Sequence, residues 1–339
     1  MLGSARRFKP NSETEDVPLR SRKRVQGSRA VEAALNTGDL LTNPADPRRI
    51  KAALPANHPG RRVRESIRVN QRQAKPIAPY LGGKRNLAQR VCRIIDANEH
   101  TTYAEPFVGM GGIFLRRRYP AKSEYINDLN GEVYTLFRVL QEHYVAFLDL
   151  LRFQITTQQN FNRLLQVDPD TLTDLQRAAR FLYLQRCAFG GKVTGRSFGV
   201  SADRPARFNL TTLEPDLEAL HSRLSGVTVM RLDFGSFIQR IDRSETLFYL
   251  DPPYWGSEED YGRGSFSRER FGELADQLSG IRGRFLLSIN DVPEIREMFS
   301  WAHQSPVRTS YSVARAGRGA TASELLISNF YPGGESSLA

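Results

Sequence analysis

The chain has 339 residues, a formal net charge of +11, 40% hydrophobic and 25% charged residues, and two cysteines, Cys92 and Cys187. That length suits two ordinary globular units, and two distant cysteines with no Cys/His cluster beside them exclude a disulfide framework and a structural zinc module. No apolar run approaches the ~20 residues of a membrane span, and Met1 to Pro10 is basic without an apolar core, so the expectation is a cytoplasmic protein in a reducing compartment, nucleoid-associated in a bacterial host.

The charge is unevenly placed. Residues 1–75 carry 17 Lys and Arg against 7 Asp and Glu, whereas residues 76–339 carry 31 against 30. Any nucleic-acid surface beyond residue 75 must therefore be a local patch. Residues 1–74 hold one aromatic, Phe8, and two basic clusters, Arg20 to Arg24 and Arg61 to Arg68. Val31 to Leu35 suits a single helical turn, with no period following it. So little apolar surface cannot offset the entropy of ordering, which predicts a disordered basic extension over 1–75. Such a segment is either dispensable or an arm that adds nonspecific DNA affinity.

Order is expected from Pro76. Pro79-Tyr80-Leu81-Gly82-Gly83-Lys84 is a glycine turn before a helical pattern over Leu87 to Ile95. A turn of this kind exposes backbone N–H groups, and Lys84 adds a positive charge. Tyr103 to Gly112 follows as strand, Glu105, a Gly109-Met110-Gly111-Gly112 loop, and then a helix predicted over Ile113 to Arg118. Glycines let backbone approach a ligand closely. Asp128 ends the next strand, 17 residues after Gly111. A carboxylate at about that spacing typically holds ribose hydroxyls, although a surface strand end has the same appearance.

Residues 131–185 carry helical spacing, with Val133 to Leu140, Val145 to Ile155 and a run through Leu175 and Leu182 capped by Asp170 or Thr171. After Gly190-Gly191 comes a basic, glycine-rich stretch interleaved with aromatics: Lys192, Arg196, Phe198, Arg204, Arg207 and Phe208. Its composition fits a hairpin along a phosphate backbone, and equally a solvated hairpin. Alternation then returns. Helix is expected over Leu213 to Leu224 and Phe237 to Ile241, and strand over Val227 to Leu232, Leu247 to Leu250, Phe285 to Ile289 and Leu325 to Ser328. Several strands end in an acidic or amide residue, and open parallel sheets bind ligands at that edge.

The strand Leu247 to Leu250 runs into Asp251-Pro252-Pro253-Tyr254-Trp255. Two prolines end the strand stiffly and leave carbonyls without N–H partners. Asp251 and the Pro252 carbonyl can accept both protons of an exocyclic amine, and Tyr254 can stack on its ring. A flipped-out adenine meets that description, and a strand end with a Pro-rich turn and core aromatics has the same appearance. Gly256 to Ser267, rich in Gly, Ser, Glu and Asp, suits a lid.

In order, Gly-Gly-Lys, Glu-Pro-Phe-x-Gly-x-Gly, Asn-Asp, the helix Phe181-Leu182-Tyr183-Leu184-Gln185-Arg186 and Asp-Pro-Pro-Tyr resemble the Dam-like (D12 class) adenine-N6 DNA methyltransferases over about Pro76 to Phe330. The resemblance implies an α/β, Rossmann-like sheet with an inserted helical and β-hairpin DNA-recognition domain. The catalytic part would be residues 76–140 and 211–330, the insert 141–210, and a tail 331–339. It implies S-adenosylmethionine as donor and double-stranded DNA as partner, with no metal, no membrane and a monomer in solution.

Carried over residue by residue, the resemblance implies that Tyr80, Lys84, Glu105, Phe107, Gly109, Gly111, Asp128, Asp233, Phe234 and Asp251 bind the donor. Asp251, Pro252 and Tyr254 would form the target-base pocket, and Arg186, Lys192, Arg196, Arg204 and Arg207 would contact DNA. Where Dam-type enzymes keep base-reading side chains, this chain has Pro79 and Thr194, which predicts a specificity other than strict GATC. The alternatives are an RNA (rRNA) adenine-N6 methyltransferase and an inactive DNA-binding homologue.

Overall fold

The computed structural model describes residues 73–80, 84, 86–200, 205–257, 266–310 and 321–332. The extension through Arg72, Gly82-Gly83, Arg204, most of the Gly256 to Ser267 stretch and the tail from Gly333 lie outside the described residues.

Seven strands form one sheet: β1 (Thr102–Glu105), β2 (Ser123–Asn127), β3 (Val227–Met230), β4 (Thr246–Leu250), β5 (Arg284–Asn290), β6 (His303–Ser310) and β7 (Thr321–Ser328). Their order is β3-β2-β1-β4-β5-β7-β6. The pairs among β1 to β5 are parallel, while β7 runs antiparallel to both β5 and β6. Successive strands run outward on one side of β1 and then on the other, so β1 and β4 flank the switch point where such sheets bind ligands.

Helices cover both faces, and β4 shows why. All five of its residues are buried, as expected for a central parallel strand. Leu247 and Tyr249 join one apolar cluster with Val91, Phe114 and Phe137, while Phe248 and Leu250 join another with Phe237, Phe271 and Ile295. The twofold alternation of a strand thus feeds two cores. α1 (Ala88–Ala97) and α2 (Gly131–Glu142) belong to the first. α7 (Phe234–Ile241), α8 (Arg268–Ser279) and α9 (Pro293–Met298) belong to the second.

Between β2 and β3 the chain makes α3 (Tyr144–Leu151), α4 (Gln158–Gln166), α5 (Asp174–Cys187) and α6 (Leu210–Leu224). α5 lies on α2 through Glu132, which takes Arg177 at 2.6 Å and Arg180 at 3.3 Å. Its N-cap is Thr173, in a capping box with Gln176. Asp170 and Thr171, the expected caps, sit instead in a preceding 3-10 turn capped by Asp168.

Two further expectations are corrected. The helix over Ile113 to Arg118 is only a 3-10 turn, Phe114–Arg116. The chain leaves it extended at Arg117, whose buried guanidinium lies 3.7 Å over Tyr103 and 2.8 Å from Glu124. Burying that charge on its partners overrides the local helical pattern. The hairpin after Gly191 is, among the described residues, a loop closed by one antiparallel bridge between Ala188 and Phe198. No helix of the described residues is long and apolar enough to cross a membrane.

Candidate active site

The carboxyl edge of the sheet gathers the acidic residues. Glu105 ends β1, Asp128 follows β2, Asp233 caps α7 after β3, and Asp251 follows β4. Register explains the convergence: parallel strands paired in step end at the same edge.

Asp251 is the centre. Its Oδ1 lies 2.8 Å from Lys84 Nζ, and Ser288 Oγ on β5 stands 3.5 Å away. Burial pushes the Asp251 carboxyl up to about 6, Lys84 pulls it down, and the Glu324 charge adds to the rise. Lys84 is itself buried and donates to the Tyr254 hydroxyl at 2.6 Å, with its ammonium 4.3 Å from the centre of that ring. Lys84 thus bridges Asp251 and Tyr254, the two residues the resemblance places in the target-base pocket. The two prolines end β4, and the turn after them is pinned by Asn290, which accepts from Trp255 N at 2.9 Å and donates to Trp255 O at 3.0 Å.

Glu324 was not singled out from the sequence. It is 1% exposed, accepts the Tyr254 hydroxyl at 2.7 Å, and holds Oε2 3.8 Å from Lys84 Nζ. It reaches the site because β7 is antiparallel: the N-terminal half of β7 lies at the carboxyl edge of β5, with Glu324 opposite Asn290. Only the direction of β7 could have flagged it, and a run of apolar residues does not report strand direction.

The glycine loop lies beside this centre. Gly109 and Gly111 have φ of +50° and +73°, and a Cβ on Gly109 would sit 3.3 Å from the Tyr80 ring. Asp128 receives Gly109 N on Oδ2 and Asn130 N on Oδ1, each at 2.9 Å, and burial raises its carboxyl to about 6 despite these bonds. Glu105 accepts from Tyr103 at 2.6 Å, and burial pushes it up to about 8. Phe107 and Phe234 pack 5.6 Å apart, and Phe266 joins both. Asp233 accepts Gly235 N at 2.9 Å and pairs with Arg270. Of the residues expected at a donor site, Gly109 therefore touches Asp128 and lies against Tyr80, Phe107 and Phe234 share an aromatic cluster with Phe266, and Asp233 pairs with Arg270.

The expected DNA contacts lie in the α5–α6 segment, whose Gly191 packs against Pro79 and Tyr80, and among the described residues they mostly face inward. Arg186 donates to the carbonyls of Ile77 and Arg207, and Arg207 to Ala188 O at 2.8 Å. Arg196 donates to Gln185 Oε1 at 3.1 Å. Gln185 is fully buried and also donates to Pro79 O at 2.8 Å and Gly191 O at 2.7 Å. Lys192 is exposed.

Residues 80–313 match the family described as D12 class N6 adenine-specific DNA methyltransferase. The chain is 23% identical to Type II methyltransferase M.CviBI of Paramecium bursaria Chlorella virus NC1A, over 76% of this chain and 100% of that one. It is 25% identical to the DNA N-6-adenine-methyltransferase of Escherichia phage P1, over 75% of this chain and 35% of that one. It is 22% identical to the DNA adenine methylase of Haemophilus influenzae, over 71% of this chain and 88% of that one.

Proposed function

The chain belongs to the D12 class of N6 adenine-specific DNA methyltransferases, and we propose that it carries a methyl group from S-adenosylmethionine to adenine N6 in double-stranded DNA. The observation that carries this reading is Asp251, held at the carboxyl end of β4 by a proline pair and flanked by Lys84 and Tyr254.

The residues present suit the donor. S-adenosylmethionine supplies a methyl group activated on a sulfonium, and it is cationic there and at its amino group. Carboxylates and a glycine loop where a Cβ on Gly109 would crowd the Tyr80 ring match that chemistry. Asp128 would hold the ribose hydroxyls, Phe107 and Phe234 would flank the donor's adenine, and Glu105 with the Gly109–Gly111 loop would surround the methionine end. Asp233 would meet that adenine once its pairing with Arg270 opens.

The target amine is a weak nucleophile, because its lone pair is delocalised into the ring. Asp251 and the Pro252 carbonyl accept its two protons, which favours a pyramidal nitrogen with the lone pair directed out of the ring plane. Positioning contributes most of the acceleration, and the carboxylate stabilises charge that builds on nitrogen. With a carboxyl at about 6, Asp251 is ionised at neutral pH.

DNA is favoured over RNA because the matching family is one of DNA methyltransferases and two of the relatives named above are a DNA N-6-adenine-methyltransferase and a DNA adenine methylase. Expression in a methylase-free host, followed by methylome sequencing and rRNA analysis, tests both. The expected outcome is N6-methyladenine in DNA, lost with Asp251→Ala, at sites not confined to GATC. Methylation of rRNA alone would move the substrate to RNA, and absence of methylation in both would overturn the assignment.

A further inference from the structure

Lys84 binds the very carboxylate that the target amine has to use. Lys84 Nζ is buried and stands 2.8 Å from Oδ1 of Asp251, whose side chain is partly exposed, and this contact would leave Asp251 partly occupied before any base arrives. Something must share Lys84.

Hydrogen-bond chemistry identifies the partner. A lysine ammonium only donates, and a tyrosine hydroxyl has one proton. Lys84 donates to the Tyr254 oxygen, so Tyr254 must send its own proton onward, and Glu324 Oε1 receives it at 2.7 Å. Burial and the charges of Asp251 and Glu324 raise the Tyr254 pKa far above its ordinary value, so this proton stays in place. Glu324 Oε2 accepts no hydrogen bond among the described residues and stands 3.8 Å from Lys84 Nζ. The buried cluster therefore sets one ammonium between two carboxylates. A buried carboxylate is costly unless paired, so Glu324 must draw on Lys84.

We infer that Glu324 is a positioning residue for methyl transfer: it fixes the Tyr254 ring and shares Lys84 with Asp251, so that Asp251 can release Lys84 and accept the target amine. The second carboxylate also keeps the cluster net negative, which favours the positive charge developing on N6. This rests on reading Asp251 as the amine acceptor.

The test is the pH dependence of kcat/KM on the methylated DNA site for wild type, Glu324→Gln, Tyr254→Phe and Asp251→Asn. Glutamine keeps an acceptor for Tyr254 and removes only the charge. The groups facing Asp251 are Lys84 from the segment before α1, Glu324 from β7, Ser288 from β5, Tyr249 from β4, Tyr254 from the turn after β4 and Glu105 from β1. Only the Glu324 charge changes in Glu324→Gln. Loss of its repulsion lets Lys84 hold Asp251 ionised to lower pH, so the acid midpoint moves down while the plateau of kcat falls tenfold or more. Donor affinity, read by calorimetry, stays within threefold.

An unmoved midpoint, or a kcat within twofold of wild type, overturns the inference. If Glu324→Gln does not fold, Tyr254→Phe carries the test, because it keeps the ring and removes the relay. A tenfold loss of kcat supports the inference, and wild-type kcat overturns it. Full activity of Asp251→Asn would instead overturn the underlying pocket assignment.

Discussion

Asp251 and Glu105 are both carboxyls pushed upward by burial, yet they have different uses. Asp251 must be ionised to accept amine protons, so kcat/KM should fall as pH drops through about 6, the value of its carboxyl in the free protein. Asp251→Ala should abolish methyl transfer while donor affinity stays within about tenfold, or ~1.4 kcal/mol. Labelled methyl transfer and calorimetric donor titration measure the two effects, and turnover near wild type would remove Asp251 from the mechanism. Glu105 is pushed up to about 8 by burial, against the Tyr103 hydrogen bond and Arg117. The folded state therefore binds this proton more tightly than the unfolded one. Glu105 then costs stability as pH rises from about 4.5, its ordinary value, toward 8. Glu105→Gln keeps an acceptor for Tyr103 and has no proton to lose. Its stability relative to wild type should rise between pH 5 and pH 8 in urea melts. A constant difference across that range would show that Glu105 does not hold its proton.

At the scale of elements, the signals that could be read were those with local causes. β4 declared itself by an unbroken apolar run before two prolines, and Asp128 by its place after a strand beyond a glycine loop. Elements whose form depends on distant partners were harder. The turn at Phe114–Arg116 is set by Arg117 reaching Tyr103 and Glu124, which no window around it reveals. β6 escaped notice because His303 to Ser310 holds one Pro and few apolar residues. Glu324 stayed hidden because β7 runs antiparallel. The glycine loop shows the opposite case, a local requirement visible in sequence. Gly111 sits at φ +73°, and a Cβ there would lie 2.9 Å from Leu115 Cγ. Gly111→Ala should lower stability by about 1–3 kcal/mol through backbone strain, with further loss of donor affinity as the loop shifts. Urea unfolding and donor titration check both. An unchanged unfolding midpoint would mean that the loop accommodates a side chain.

For the whole molecule, the question is where DNA finds its positive charge. Residues 76–339 are nearly neutral, with 31 Lys and Arg against 30 Asp and Glu. Several arginines expected to meet phosphates are already committed: Arg186 and Arg207 donate to backbone carbonyls, and Arg196 to Gln185. These bonds shape the loop after α5 and hold it against Pro79. They leave exposed Lys192 as the expected contact without such a bond among the described residues. The first 72 residues carry 16 Lys and Arg against 7 Asp and Glu, so they hold most of the excess. The boundary for removing them is set by burial. Ala74, Ile77 and Ala78 are buried, and Lys75 pairs with Asp216 at 3.1 Å, so a deletion must stop at Arg72. Deleting residues 1–72 should leave a folded enzyme with kcat close to wild type. Its DNA affinity should fall at low salt, and the slope of log K against log salt should flatten by about 0.9 for each phosphate that is no longer neutralised. Fluorescence anisotropy on one duplex from 50 to 200 mM salt reads the slope. A slope equal to that of the full chain would show that the extension neutralises no phosphate and that the residues from Gln73 onward make all the phosphate contacts.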